Sequence, residues 1–227
     1  MKTTPASAQL ANLGPLSQLK AGRLPERLLR LLVGLWLYGL AIALMIKGAV
    51  GSSPWDLFHQ GVSRHLPVSF GVIMIGTAVL VLLAWIPLRQ RPGLGTLANT
   101  LLLGPLADLN LALLATPDSL PLRCAYMIAG VVVCAFASAL YIGAQLGPGP
   151  RDGLMTGLAR RTGGSIRTIR TLIEITVLVI GVSLGGRFGF GTIVFALGMG
   201  PLTQFFLSYL VVRLDVPAEG AATDVAR

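Results

Sequence analysis

The chain has 227 residues, of which 54% are hydrophobic and only 12% are charged. In soluble globular domains about 25% of residues are charged, and a mean hydropathy of +0.76 places this chain outside that class. The formal net charge of +9 does not indicate a nucleic-acid partner, because the basic residues are scattered at the ends of apolar runs. The composition predicts an integral membrane protein whose surroundings are the lipid bilayer.

Six continuous apolar runs are long enough to cross a bilayer as helices. They cover residues 28–50, 70–86, 96–115, 124–146, 166–184 and 192–212. Strands of a membrane barrel would instead alternate apolar and polar residues over about ten positions. The predicted fold class is therefore all-α, a polytopic helical membrane protein. A polar cytoplasmic tail at 1–22 and a second tail at 213–227 flank the helices.

Two shorter segments of mixed polarity, 54–65 and 150–162, separate the first apolar run from the second in each half of the chain. Both open with Pro-x-Asp. Proline lacks the N–H that would be left unpaired in a first turn, and an acidic residue there complements the positive end of the helix dipole. Each segment is predicted to be a helix of about three turns. Such a helix is too short to span, and it either lies on the membrane surface or re-enters the bilayer.

The two halves of the chain repeat each other at a constant offset of 96 residues. Chance would not hold Pro, Gly and Asp in register over such a distance. The sequence therefore predicts a tandem duplication within one structural domain, with repeat 1 at 23–115 and repeat 2 at 119–212. Matching pairs include Pro54/Pro150, Asp56/Asp152, Gly61/Gly157, Gly95/Gly191, Thr96/Thr192, Gly104/Gly200 and Pro105/Pro201.

Three spans per repeat is an odd number, so the second repeat must enter the membrane from the side opposite to the first. The two repeats are predicted to be inverted. The basic residues agree with a cytoplasmic location of both termini, because most of them then fall on the inner side, as the positive-inside rule requires. The exceptions are Lys47, Arg64, Arg123 and Arg187.

The third and sixth apolar runs each contain a Gly-Pro pair near the middle. Inverted repeats build many transporters, whose sites lie where helices are interrupted at corresponding positions. Proline removes a helix hydrogen bond, so helix breaks are predicted at Gly104-Pro105 and at Gly200-Pro201. A kink that serves only packing is the alternative.

Polar side chains near these two positions are candidates to line a solute path. Asp108 and its repeat counterpart Gln204 follow the predicted breaks, and Asn99 precedes the first. An acid inside a membrane is costly unless it is paired or hydrated, although at the membrane boundary Asp108 would be merely interfacial. Asp56 and Asp152 complete the candidate set, with capping of the short helices as their alternative role.

The densest basic cluster is predicted to lie on the cytoplasmic side. It comprises Arg151, Arg160, Arg161, Arg167 and Arg170. Such residues determine topology, and they would also suit an acidic partner or anionic lipid. Glu174 follows Arg170 by four residues, so an ion pair on one face of a helix is predicted.

Motifs for catalysis and for cofactor binding are missing from the sequence. There is no Ser/His/Asp set with supporting loops and no phosphate-binding Gly-Lys motif. Cys124 and Cys134 lie in one apolar run, too far apart along a helix for a disulfide. The sequence predicts a protein that is not an enzyme and that holds no cofactor and no metal.

The motif Gly51-x-x-Pro54-Trp55-Asp56, followed by Gly95-Thr96 and Gly104-Pro105, recurs as Gly147-x-x-Pro150-Arg151-Asp152, followed by Gly191-Thr192 and Gly200-Pro201. This pattern resembles the YczE/YyaS/YitT family of bacterial integral membrane proteins over residues 28–212. The resemblance implies a helical protein of the bacterial inner membrane. It implies no functional residues.

The duplication, the odd number of spans and the paired Gly-Pro positions favour a transporter or channel for a small solute. Helix N-termini at a central site would favour an anion, whereas Asp56 and Asp152 favour a cation, a zwitterion or proton coupling. The charge of the solute is therefore open. The alternative function is a non-transporting scaffold that holds a biosynthetic or regulatory partner. Glycines along the helices allow close contacts within the bundle or in a homodimer.

Overall fold

The computed structural model describes residues 14–214, except for the side chain of Leu16. The segments 1–13 and 215–227 of the predicted tails lie outside the described residues. Within 14–214 the chain forms nine helices and no strand, which confirms the all-α prediction. They are α1 (Pro15–Lys20), α2 (Leu24–Gly48), α3 (Pro54–Ser63), α4 (Phe70–Leu88), α5 (Leu94–Leu113), α6 (Leu120–Gly143), α7 (Pro150–Thr162), α8 (Ile166–Ser183) and α9 (Phe190–Leu210).

The eight helices after α1 form two sets of four, α2 to α5 and α6 to α9. Each helix of the first set begins 96 residues before its counterpart in the second set. The equivalent starts are Leu24/Leu120, Pro54/Pro150, Phe70/Ile166 and Leu94/Phe190. The duplication in the sequence is thus also a duplication of secondary structure, and both predicted short helices are present as α3 and α7.

Proline and serine residues determine where several of these helices begin. A proline occupies the first turn of α2, α3, α6 and α7, where its missing N–H costs no hydrogen bond. Ser69 Oγ accepts the N–H of Val72 at 3.2 Å at the start of α4, and Ser165 Oγ accepts the N–H of Thr168 at 3.1 Å at the start of α8. Each serine satisfies a backbone donor that has no partner within the helix.

Five helices, α2, α4, α5, α6 and α9, are long and apolar enough to cross a membrane. Helix α8 has 18 residues, but it carries Arg167, Arg170 and Glu174. The role of α8 as a sixth span therefore stays a prediction. The insertion of the two repeats in opposite senses and the cytoplasmic location of both termini also stay predictions.

The predicted helix breaks at Gly104-Pro105 and Gly200-Pro201 are wrong. Helices α5 and α9 each continue through their proline. A proline removes one backbone hydrogen bond, and the turns on either side keep theirs. Both prolines are exposed on the surface of the bundle.

The most extensive helix contact in the described part of the chain joins α2 and α6, which run antiparallel. Arg27, near the start of α2, is fully buried and donates to the carbonyl oxygens of Ala144 at 2.8 Å and Gln145 at 2.7 Å, just beyond the end of α6. Gly48, at the end of α2, lies against the backbone of Arg123, near the start of α6. The first helices of the two repeats therefore point in opposite directions.

Contacts between the two repeats are reciprocal. Gly34 of α2 lies against the backbone of Ala137 in α6, and the equivalent Gly130 of α6 lies against the backbone of Ala41 in α2. Small residues at these four positions let the two helix backbones approach closely. Two partners that exchange the same pair of contacts are related by a two-fold axis. An approximate two-fold axis therefore passes between α2 and α6.

The same reciprocity holds for the segments that lead into the short helices. The N–H of Gly95 donates to the carbonyl of Leu146 at 2.6 Å, and the equivalent N–H of Gly191 donates to the carbonyl of Val50 at 2.7 Å. Each short helix packs on the second long helix of the other repeat, α3 on α8 and α7 on α4. The two repeats are thus interlocked, and each supplies part of the wall around the other's short helix.

The α2–α6 contact generates the first prediction. Gly34→Leu places a side chain against the backbone of α6, and overpacking of this kind costs about 1–3 kcal/mol. We expect a lower midpoint of thermal unfolding for the purified variant in detergent. Gly76→Leu is the control, because Gly76 is also helical but faces open space. Equal loss of stability in both variants would contradict the assigned contact.

Candidate functional site

A cavity of about 340 Å³ lies between the two repeats and is lined by residues from all eight helices α2 to α9. Equivalent positions from both repeats face it, so the cavity lies on the approximate two-fold axis. The equivalent lining pairs are Ser53/Gly149, Pro54/Pro150, Trp55/Arg151, Met74/Arg170, Ala78/Glu174, Asn99/Phe195, Leu103/Met199 and Gly104/Gly200. The charged members of these pairs all belong to repeat 2.

Both short helices begin at this cavity. Pro54 and Trp55 open α3, Pro150 and Arg151 open α7, and all four residues line the cavity. The guanidinium carbon of Arg151 stands 4.6 Å from the centre of the Trp55 ring system, so the two equivalent positions meet at the axis. Because a helix N-terminus carries partial positive charge, two such ends and one arginine converge on the same space.

The cavity wall also carries an acidic, an amide and a hydroxyl group. Asp152 follows Arg151 in α7, and its Oδ2 accepts the hydroxyl hydrogen bond of Tyr141 at 3.0 Å. Asn99 of α5 is 9% exposed and lines the cavity. The hydroxyl oxygen of Thr203 in α9 is buried there without a hydrogen-bond partner among the described residues. The wall therefore offers donors and acceptors within an otherwise apolar enclosure.

Exposed residues of α8 and α9 line one side of the cavity. Arg170 and Glu174 of α8 form an ion pair at 2.9 Å, which confirms the predicted pair. Gly200 and Gln204 of α9 are exposed and also line the cavity. Helices α8 and α9 make little contact with each other, so these residues border a lateral mouth.

The equivalent helices of repeat 1, α4 and α5, are closed against each other. Gly71 and Gly104 lie so close that a side chain on either one would collide with the backbone of the other. Asp108 accepts hydrogen bonds from Ser69 Oγ at 2.5 Å and from the N–H of Gly71 at 2.8 Å. In repeat 2, Arg167 replaces Gly71 and Gln204 replaces Asp108. Two of the four residues that close the first pair of helices, Gly71 and Asp108, are therefore missing from the second pair.

Three of the five predicted path residues line the cavity, namely Asn99, Asp152 and Gln204. Asp56 does not line the cavity, because it is buried beside Ser53. The hydroxyl of Ser53 donates to Asp56 Oδ2 at 2.5 Å, and the same oxygen accepts the N–H of Asp56 at 3.1 Å. The residue that caps the start of α3 is thus Ser53, whose hydroxyl also donates to the Asp56 carboxylate. Asp108 does not line the cavity either, because its carboxylate joins α5 to α4.

The predicted basic cluster does not form one surface. Arg151 and Arg170 line the cavity, whereas Arg160, Arg161 and Arg167 are exposed outside it. Arg161 donates to the carbonyl of Pro87 at the end of α4, at 2.9 Å. The cluster therefore divides into a pair that lines the cavity, with Arg170 exposed at its edge, and three arginines outside the cavity.

Sequence reasoning missed Trp55 and Tyr141 as cavity residues. One signal for Trp55 was available, because it occupies the same repeat position as Arg151, directly after the first proline of the short helix. Equivalent positions near a two-fold axis approach each other. No comparable signal existed for Tyr141, whose counterpart Met45 is a core residue.

Comparison with known proteins places the chain among bacterial relatives. Residues 25–208 match a family of unknown function (DUF6198). An uncharacterized protein of Haemophilus influenzae is 35% identical over 83% of this chain and 87% of its own length. The uncharacterized membrane protein YczE of Bacillus subtilis is 33% identical over 80% of this chain and 86% of its own length. The uncharacterized protein YyaS of the same organism is 26% identical over 77% of this chain and 89% of its own length. No solved structure matches the chain.

These relatives confirm the expected resemblance to YczE and YyaS, whereas its YitT part stays a prediction. One relative is named as a membrane protein, and five helices have the length and apolarity of membrane spans. The chain is therefore an integral membrane protein in contact with the lipid bilayer.

The closed α4–α5 pair generates the second prediction. Asp108→Ala removes the acceptor shared by Ser69 Oγ and the Gly71 N–H, and loss of hydrogen bonds to a charged group costs about 1.5–3 kcal/mol. We expect a lower unfolding midpoint in detergent. Asp118→Ala is the control, because Asp118 is exposed in the loop between α5 and α6. An unfolding midpoint for Asp108→Ala equal to that of the control would show that the carboxylate does not hold the two helices together.

Proposed function

The chain belongs to the DUF6198 family of unknown function, and we propose that it is a transporter or channel that carries a small polar solute across the bacterial inner membrane. The observation that supports this best is the cavity on the axis between the repeats, at which both short helices begin. Helix ends directed at an internal site are a recurring way for membrane proteins to bind polar solutes. In this proposal the protein is not an enzyme.

The direction of the helices supports the inverted arrangement that such a transporter needs. Because α2 and α6 are antiparallel, the two repeats enter the membrane from opposite sides when both helices span it. Helix α3 then ends at one membrane surface and α7 at the other, while both begin near the middle. The two short helices thus re-enter the bilayer, and only the short central region between their starts separates the two aqueous sides.

The difference between the two helix pairs supports a conformational cycle. Within one repeat the α4–α5 pair is closed, and within the other the α8–α9 pair is open. Two repeats of the same architecture that differ in this way fit a transporter in one of its two access states. Such transporters change state when one repeat rocks against the other around a fixed binding site. The lateral mouth beside Arg170 and Gln204 is then the entrance in this state.

The scaffold alternative has less support. It relies on a continuous basic surface, but of the five arginines in the predicted cluster, Arg151 and Arg170 line the cavity and three lie outside it. Three exposed arginines on one side of the membrane are already explained by their role in setting the orientation of the helices. The cavity would have no role in a scaffold, whereas it is central to transport.

The third prediction tests transport in proteoliposomes loaded with a mixture of amino acids, organic acids, amines and sugars. Wild-type protein is expected to release at least one solute, measured by mass spectrometry of the retained contents. Thr203→Trp, which fills the cavity, is expected to abolish that release. Ser208→Trp is the matched control, because Ser208 is exposed on the same helix and does not line the cavity.

Two results would contradict the proposal. One is the absence of release by wild-type protein for every solute in the mixture. The other is release that Thr203→Trp leaves unchanged, since the solute would then pass by a route other than the cavity.

A further inference from the structure

Arg151 has an incomplete set of partners. Its guanidinium stacks on the indole of Trp55, which uses none of its five N–H donors. No hydrogen bond or ion pair joins Arg151 to any other residue in the described part of the chain. It also stands at the N-termini of two helices, whose partial charge has the same sign as its own. A partly buried cation in this position needs an anionic group to accept its hydrogen bonds.

Asp152, directly beside Arg151, has unused acceptor capacity. Its Oδ2 accepts one hydrogen bond from Tyr141, whereas an ionised carboxylate offers about four acceptor sites. No ion pair engages Asp152 among the described residues, although Arg151 is its neighbour in sequence. The two charges on α7 thus face one cavity without neutralising each other at contact distance.

The formal charges of the cavity wall sum to zero. Arg170 and Glu174 at the mouth are already paired with each other. Arg151 and Asp152 contribute one further charge of each sign. Asp56, near Arg151, is committed to Ser53 and does not line the cavity. A solute with a single charge would therefore leave one wall charge without a partner, and an uncharged solute would leave both.

From this arrangement we infer that the cavity binds a small organic zwitterion, with the carboxylate at Arg151 and the ammonium group at Asp152. The inference rests on the proposed transport function and specifies its solute class. Arginine presents parallel N–H donors that match a carboxylate. Asn99, without a hydrogen-bond partner among the described residues, and the hydroxyl of Thr203 supply further polar contacts within the same space. A volume of about 340 Å³ suits a solute of amino-acid size.

The fourth prediction concerns binding by the purified full-length protein in detergent, measured by isothermal titration calorimetry. Four probes share a five-carbon chain: L-norvaline and 5-aminopentanoate are zwitterions, pentanoate lacks the ammonium group, and pentylamine lacks the carboxylate. At least one zwitterion is expected to bind, and both singly charged probes are expected to bind at least about tenfold more weakly, because each loses a charge-assisted hydrogen bond.

Variants at the two charges separate their roles. Arg151→Gln is expected to weaken binding of the zwitterion by about tenfold or more, and Arg151→Lys, which keeps the charge without the paired donors, is expected to weaken it less. Asp152→Asn is expected to weaken the zwitterion and to strengthen pentanoate, because an anion at Arg151 then leaves no wall charge without a partner. Arg160→Gln on the same helix and Asp118→Asn are the controls, since both residues are exposed and lie away from the cavity.

Three results would overturn the inference: stronger binding of pentanoate or pentylamine than of both zwitterions, unchanged affinity in a folded Arg151→Gln variant, or no binding of any of the four probes. Folding of each variant is checked by its unfolding midpoint and its elution in size-exclusion chromatography. A different result decides the transport proposal. If the proteoliposomes release only singly charged solutes through the cavity, transport stands and the zwitterion inference falls.

Discussion

The close antiparallel contact of α2 with α6 is the constraint on which the rest of the structure depends. The two backbones approach because glycine and alanine occupy the facing positions, such as Gly34 and Ala137. Within a membrane, apolar side chains gain little by leaving lipid for protein, so backbone packing and internal hydrogen bonds must hold helices together. Buried Arg27 adds such bonds by donating to carbonyls beyond the end of α6. Once this pair is fixed, every other element of one repeat has its counterpart across the axis.

The symmetry explains where the cavity lies, and departures from the symmetry explain its chemistry. Equivalent residues near an axis must face each other, so the starts of α3 and α7 meet there and leave a space between them. Repeat 1 presents an apolar and aromatic side, with Trp55, Met74 and Ala78. Repeat 2 has Arg151, Arg170 and Glu174 at the equivalent positions. One repeat thus closes the structure through Asp108, while the other supplies the charges and the opening.

Much of the fold was predictable from the sequence, because its signals are local. Apolar runs, prolines in first turns and the 96-residue offset place all eight of the main helices. The course of α5 and α9 through their prolines was not predictable in this way, since it depends on the outward direction of each ring. The positions of the acids also depend on rotation about a helix axis. Asp152 faces the cavity, whereas Asp56, its exact repeat counterpart, is turned to Ser53.

The most direct test of this account asks whether equivalent positions of the two repeats reach opposite sides of the membrane. Arg64 and Arg160 are equivalent, exposed and located at the outer ends of α3 and α7. Arg64→Cys and Arg160→Cys, each with Cys124 and Cys134 replaced by alanine, would be labelled in spheroplasts with a membrane-impermeant maleimide. The account predicts that one position reacts in intact spheroplasts and the other only after lysis. Reaction of both from the same side would contradict it.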